Sequence, residues 1–243
     1  MAGHSKWANI KRKKAKVDAQ RGKVFTRVTK EIILAAKLGG GDPAGNMRLK
    51  TALEKAKEAN LPKDKIERAI LKGTGQLGSS NLEQIVYEGY GPGGVAVLLN
   101  ITTDNRNRTV GDIRHIFSKN DGNLGESGCV SWMFDRKGLL VIEKENAYLD
   151  EDDLMMTALE AGAEDMKVED DVYEIYTAFD DFTEVYTSLE EKNIPLAEAE
   201  ITMIPQTTVN LDGNEAEKMI NLLEKLEEHD DVDDVYSNFE TNE

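Results

Sequence analysis

The chain has 243 residues, 40% of them hydrophobic and 31% charged, with a single cysteine and a formal net charge of −16. No apolar run reaches the length of a membrane-spanning helix, and one cysteine excludes an intrachain disulfide and fits a reducing cytosol. The charge is segregated: residues 1–75 hold 19 Lys or Arg against 7 Asp or Glu, a net +12, whereas the rest hold 11 against 39, a net −28. Positive charge packed into one segment is the electrostatic footprint of a phosphate-backbone binder. The acidic remainder repels the same polyanion, so only one face is expected to dock. The N-terminus, Met1 to Trp7, lacks an apolar h-region, and a cytoplasmic chain without a secretory leader is expected.

The basic segment reads as helical. From Asp18, the residues Val24, Phe25, Val28, Ile32, Ala35 and Ala36 recur on one helical face until Gly39-Gly40-Gly41. Asp42-Pro43 is expected to open a second helix with Leu49, Ala52, Leu53 and Ala56 inward. Asn60-Leu61-Pro62 breaks it, and a third helix carries Ile66, Ala69 and Ile70 until Gly73, completing a three-helix bundle. Gly73 to Asn81 reads as a polar linker. Strands are expected over 82–90 and 95–103, then a helix with Val110, Ile113 and Phe117 on one face, ending near Gly122. From Gly138 the order is strand (Leu139–Glu143), helix (151–161), hairpin (165–169 and 172–178), helix (182–192), strand (197–204), the ferredoxin-like βαββαβ unit. A helix over 214–228 and a strand over 232–238 are expected to complete the unit begun at residue 82. The expected fold is therefore multidomain α and α+β. A basic helical domain (1–80) precedes two ferredoxin-like α+β domains, one discontinuous (81–134 with 205–243) and one inserted in it (135–204).

Chemistry concentrates in the basic segment. Lys11-Arg12-Lys13-Lys14, with Lys6, Lys16, Arg21 and Lys23, repel one another unless an anion lies among them, and counterion release would drive its association. Trp7 suits stacking on a base or, equally, anchoring the arm to the bundle. Lys63, Lys65, Arg68 and Lys72 form a second basic row on the third helix. Arg48, Lys50, Lys55 and Lys57 lie on the second, where Glu54 and Glu58 offer pairs. Asn105-Arg106-Asn107-Arg108-Thr109, between a strand and a helix, suits a phosphate or base edge. Helix capping with salt bridges to the acidic surface explains it equally well. The residues expected to contact nucleic acid are Lys6, Trp7, Lys11, Arg12, Lys13, Lys14, Lys16, Arg21, Lys23, Lys63, Lys65, Arg68, Arg106 and Arg108.

Other signals are weaker. Gly73-Thr74-Gly75-Gln76-Leu77-Gly78 matches G-x-G-x-x-G, but it follows a helix rather than a strand, so it is not a dinucleotide site. His4, His115, His229 and Cys129 are scattered without metal-ligand spacing. The acidic runs Asp150–Asp153, Glu169–Asp171, Asp180-Asp181 and Asp230–Asp234 fall at element ends and read as caps and solubilising turns. No nucleophile–base pair is readable. No catalytic residue, metal, cofactor, small-molecule substrate or membrane partner is expected.

At Gly3-His4-Ser5-Lys6-Trp7, Asn9-Ile10-Lys11 and Asp18 to Phe25 the chain resembles the YebC family. The likeness continues through Asn46-Met47-Arg48-Leu49, Asn60 to Ile70, Thr103 to Val110 and Gly128 to Phe134, covering essentially the full length. The family pattern has Arg in the Gly-Gly-x-Asp-Pro loop, where this chain has Gly41. The resemblance implies an N-terminal helical bundle and two α+β domains. It also implies a cytoplasmic DNA-binding transcriptional regulator. Mitochondrial relatives act as translational activators, and bacterial members are linked to ribosomes stalled at proline-rich sequences. The expected function is thus a non-enzymatic, nucleic-acid-binding regulator of gene expression, acting on DNA by resemblance. The alternative is a ribosome-associated factor acting on ribosomal or messenger RNA. A metal-dependent nuclease using the acidic runs and a protein-interaction scaffold are weaker alternatives.

Overall fold

The computed structural model describes residues 21–78 and 81–241. The expectations for Lys6, Trp7, Lys11, Arg12, Lys13, Lys14 and Lys16 lie outside these residues, and of Arg21 only the backbone is described. The chain divides into two compact units, one running up to Cys129 and resuming over Asn214–Ser237, the other comprising Val130–Gly213 and Asn238 onward.

In the first unit, α1 (Arg21–Gly39), α2 (Met47–Glu58) and α3 (Lys63–Gly73) enclose one core. Ile32, Ile33, Leu34 and Ala35 of α1 meet Leu49, Ala52 and Ala56 of α2 and Ala69 of α3. The apolar periodicity of the sequence is thus what the bundle buries. Helix α1 ends where Gly40 turns to φ +84°, a left-handed position suited to glycine. Gly73 closes the α1–α3 contact, because a Cβ there would lie 2.4 Å from the Ile33 carbonyl oxygen.

Helix α2 starts later than Asp42-Pro43 suggests. Asp42–Gly45 forms a turn, with the Ala44 N–H donating to the Asp42 carboxylate at 2.9 Å. Asn46 is the cap: its Oδ1 accepts from the Leu49 N–H at 3.0 Å, while its amide donates to the Ala35 and Gly40 carbonyls at 2.7 and 2.8 Å. One buried amide therefore fixes both the start of α2 and the end of α1.

The same unit holds a four-stranded sheet of order β3-β1-β2-β9, built from β1 (Glu83–Tyr90), β2 (Ala96–Thr103), β3 (Asn123–Leu124) and β9 (Val232–Ser237). All its pairings are antiparallel, and β2–β9 carries a bulge at Asn100/Ile101. Helix α4 (Arg106–Lys119) buries Thr109, Ile113 and Phe117, and α7 (Gly213–Glu228) buries Ala216, Met219, Leu222 and Leu226. Strands and helices thus follow one another as β-β-α-β-α-β.

The second unit holds β4 (Phe134–Glu143), α5 (Glu151–Glu160), β5 (Asp165–Val168), β6 (Val172–Ala178), α6 (Phe182–Glu191) and β7 (Glu198–Pro205). Its antiparallel sheet has the order β5-β6-β4-β7, the arrangement expected of the βαββαβ unit. Leu140, Ile142, Tyr173 and Ile175 pack under Leu154 and Ala158 of α5 and Val185 and Leu189 of α6. Strand β4 is longer than the sequence suggests because Gly138 lies inside it. A Cβ at Gly138 would meet the Thr177 hydroxyl at 2.3 Å and the Phe182 ring at 2.4 Å, so the glycine marks close packing rather than a strand end. Short strands β8 (Val209–Asn210) and β10 (Phe239–Glu240) pair in parallel.

Candidate nucleic-acid interface

The described part of the basic segment sorts into cations that the fold uses and cations that it presents. Helix α3 presents its row. Its apolar side is fixed by Ala69, Ile66 and Ile70 in the bundle core, which leaves Lys63, Lys65, Arg68 and Lys72 exposed. Among the described residues none of these four joins an ion pair, and the Lys65 ammonium lies 5.6 Å from the centre of the Phe25 ring. Lys50, Lys55 and Lys57 of α2 are also exposed. Arg48 is not presented in this way. Its Nε and Nη2 donate to the two Glu31 oxygens at 2.7 and 3.0 Å, a bidentate pair joining α2 to α1.

Lys23 is half-buried, with its Nζ enclosed and, among the described residues, without a hydrogen-bond partner. Burial and the neighbouring Arg27 lower its pKa to about 8. This is a poor setting for a phosphate contact, because Lys23 already bears the cost of desolvation.

The Asn105–Thr109 segment shows both of its expected characters. Asn105 caps α4, accepting from the Arg108 N–H at 3.1 Å. Arg108 donates to Asp104 at 2.8 Å and to Asp231 at 3.2 Å. Arg106, two residues earlier, is exposed.

Asp231 is the centre of a polar hub that the sequence did not single out. Its Oδ1 accepts from the Lys30 ammonium at 2.7 Å. Its Oδ2 accepts from the hydroxyls of Thr109 (2.7 Å) and Thr103 (3.2 Å) and from Arg108. Lys30 also donates to the Thr102 and Asp230 carbonyls at 2.9 and 2.8 Å. Burial pushes the Asp231 carboxyl up, but the hydrogen bonds from Lys30 and Thr109, the Lys30 charge and Arg108 outweigh it and hold the group well below the usual carboxylate range. Two residues on, burial raises the pKa of Asp233 despite a hydrogen bond from Thr102. The hub fastens α1 to β2, α4 and the α7–β9 turn. Beside it lies a cleft of about 730 Å³ lined by Lys30, Lys72, Arg108 and His229, but also by Asp104, Asp112, Glu228, Asp230 and Asp231. Acids outnumber bases there, so the cleft disfavours a polyanion and the outer face of α3 is the better docking surface.

Nothing in the sequence marks Asp231 out from the other members of its acidic run, and Lys30 looks like one more cation on a basic helix. Among the described residues no group of three or more His, Cys, Asp or Glu is placed to hold a metal ion. No described helix is long and apolar enough to cross a membrane.

A family model described as the TACO1/YebC protein N-terminal domain matches residues 5–76, and one described as the TACO1/YebC second and third domain matches residues 82–239. A "Probable transcriptional regulatory protein" of Pelotomaculum thermopropionicum is 62% identical over 240 residues, covering 99% of each chain. A protein of the same name from Desulforamulus reducens is 60% identical, again over 99% of each. The crystal structure of a conserved hypothetical protein from Aquifex aeolicus superposes with a TM-score of 0.78 at 50% identity, covering 94% of each chain.

Proposed function

Because the chain belongs to the TACO1/YebC family, we propose that it is a non-enzymatic, cytoplasmic regulator of gene expression that binds nucleic acid through its basic helical segment, with duplex DNA as the target. The observation that carries this reading is the outward row Lys63, Lys65, Arg68 and Lys72 on α3, within a segment of net +12. The names of the relatives favour transcription. The arm residues Lys6, Trp7, Lys11 to Lys14 and Lys16, with Arg21, are proposed as further contacts to the same nucleic acid on the strength of their charge. Arg106 adds a contact, whereas Arg108 holds the edge in place through Asp231. The proposed domain partition is a helical domain over 1–80, a discontinuous α+β domain over 81–134 and 205–243, and an inserted one over 135–204.

The test is binding of the full chain to labelled duplex DNA and to a ribosomal RNA helix across a salt series. Each neutralised phosphate contributes about 0.9 to the slope of log K against log[salt] on B-DNA. Lys63→Ala, Lys65→Ala and Arg68→Ala together are expected to lower that slope by about 2.7, and alanine at Lys11, Arg12, Lys13 and Lys14 by roughly 3–4. Both variants should weaken binding to all sequences alike, since phosphate contacts carry no base information. An unchanged slope in the α3 variant refutes that face. RNA bound more tightly than DNA at equal salt, with salt-sensitive co-sedimentation with ribosomes, would move the target to the translation machinery. Cleavage of the labelled strand that stops with EDTA would overturn the non-enzymatic assignment.

A further inference from the structure

The helical bundle carries its exposed large apolar side chains at one end. Among the residues described over 21–78 these are Leu38 (70% exposed), Met47 (74%) and Leu77 (57%). Chain direction gathers them, because α1 and α3 end where α2 begins. Close packing fixes the arrangement. A Cβ at Gly39 would lie 2.7 Å from the Asn46 side chain, so Leu38 and Met47 flank one contact. A Cβ at Gly41 would lie 3.0 Å from Ile70 and 3.1 Å from Thr74, at the end of α3. The Leu77 N–H folds back there to donate to the Leu71 carbonyl at 3.3 Å. The surround is basic: Lys50 in the first turn of α2 and Lys72 in the last turn of α3 are both exposed. Lys37 and Lys72 also offset the partial negative charge of the helix ends on which they lie. Three side chains fall far short of the roughly 800 Å² that each partner buries in a stable protein complex, so a second copy of the chain does not suit this end. A narrow apolar tip between cations suits insertion between stacked bases beside a phosphate backbone.

We propose that Leu38 and Met47, with Leu77 beside them, form a wedge that enters the minor groove of duplex DNA and partly unstacks a base step. The proposal rests on the nucleic-acid reading of α3 and deepens it. Lys65, Arg68 and Lys72 follow one side of α3 at i, i+3 and i+7 and span about 10 Å. They track the phosphates of one strand toward the apolar end, where Lys72 joins the two surfaces. The row supplies affinity without sequence information. The wedge adds a preference for steps that unstack easily, the pyrimidine–purine ones.

A short duplex carrying 2-aminopurine at its TpA steps tests the wedge on the full chain. Unstacking raises the fluorescence of this base, and saturating wild-type protein is expected to raise it. Leu38→Ala with Met47→Ala should abolish the rise, and with it the preference for TpA-rich over G·C-rich duplex. The salt slope should stay unchanged in this variant, since neither side chain carries charge to meet a phosphate. Lys65→Ala with Arg68→Ala should do the reverse, lowering the slope by about 1.8 while keeping the full rise at saturation. A tip variant that keeps the rise, or wild-type protein that binds duplex without one, overturns the wedge and leaves the basic face of α3 standing. A tip variant that loses slope and rise together would make this end structural and also overturns it. If wild-type protein does not bind duplex at all, the wedge and the DNA reading fall together.

Discussion

Replacing Asp231 with Asn tests whether the polar hub holds the bundle to the sheet. The wild-type side chain is 8% exposed and accepts from Lys30, Thr109, Thr103 and Arg108. Asparagine keeps the shape and one acceptor oxygen but removes the charge opposite a Lys30 side chain that is 15% exposed. Removing one partner of a buried pair costs about 3–5 kcal/mol. Lys30 retains the Thr102 and Asp230 carbonyls, so the lower end, about 3 kcal/mol, is expected at neutral pH. The pH dependence follows from the depressed pKa of Asp231. A carboxyl held below its unfolded value, near 3.9, contributes its full stability above that value and loses it as pH falls through the folded one. The difference between wild type and Asp231→Asn, measured by urea unfolding followed by circular dichroism, should be constant from pH 5 to 7 and shrink steadily below pH 4. A loss under 1 kcal/mol at pH 7, or a difference that does not shrink in acid, would refute the hub.

Lys23 gives a signature of the same sign at alkaline pH but for the reverse reason, since here the fold disfavours the charged form. Its folded pKa of about 8 lies below the ordinary lysine value of 10.5, so between these values the unfolded chain binds more protons and stability rises with pH. Lys23→Gln should abolish that rise in urea-unfolding midpoints between pH 8 and 10, and a rise that persists would place its origin elsewhere. Excised residues 135–204 should unfold cooperatively by circular dichroism, because α5 and α6 supply a core over one side of the sheet. A broad, non-cooperative transition would count against an autonomous inserted domain.

The helices were legible because each carries an apolar stripe at helical spacing, and the long strands because theirs alternate or run continuously apolar. What escaped was set by partners distant in sequence. The start of α2 depends on the Asn46 amide reaching Ala35, which no local cap pattern reveals. Gly138 reads locally as a boundary, but the reason for it, Phe182, lies 44 residues on. Strands β3, β8 and β10 have two residues each and exist only through their pairing. The basic character of the site was plain from composition, whereas the division of labour within it was not. Arg106 and Arg108 share one motif, yet only Arg108 is placed to reach Asp231, 123 residues away.

That division bears on how a binding surface can be both basic and well folded. A dense set of cations destabilises a small bundle by self-repulsion, and at Lys23 the neighbouring Arg27 adds to the larger effect of burial in lowering the pKa. Arg48 and Lys30 are placed against Glu31 and Asp231, where their charges join α1 to α2 and to the sheet. Glu31 and Asp231 thus neutralise the inner cations of the bundle and leave the outer face of α3 to carry unpaired positive charge. Acidic residues outside the bundle but in the same unit, Asp231 above all, are therefore part of the architecture that presents the basic row. A chain that simply added lysines to α1 would lose stability without gaining contacts. Cations added to the exposed side of α3 would raise the salt slope at little cost to the fold.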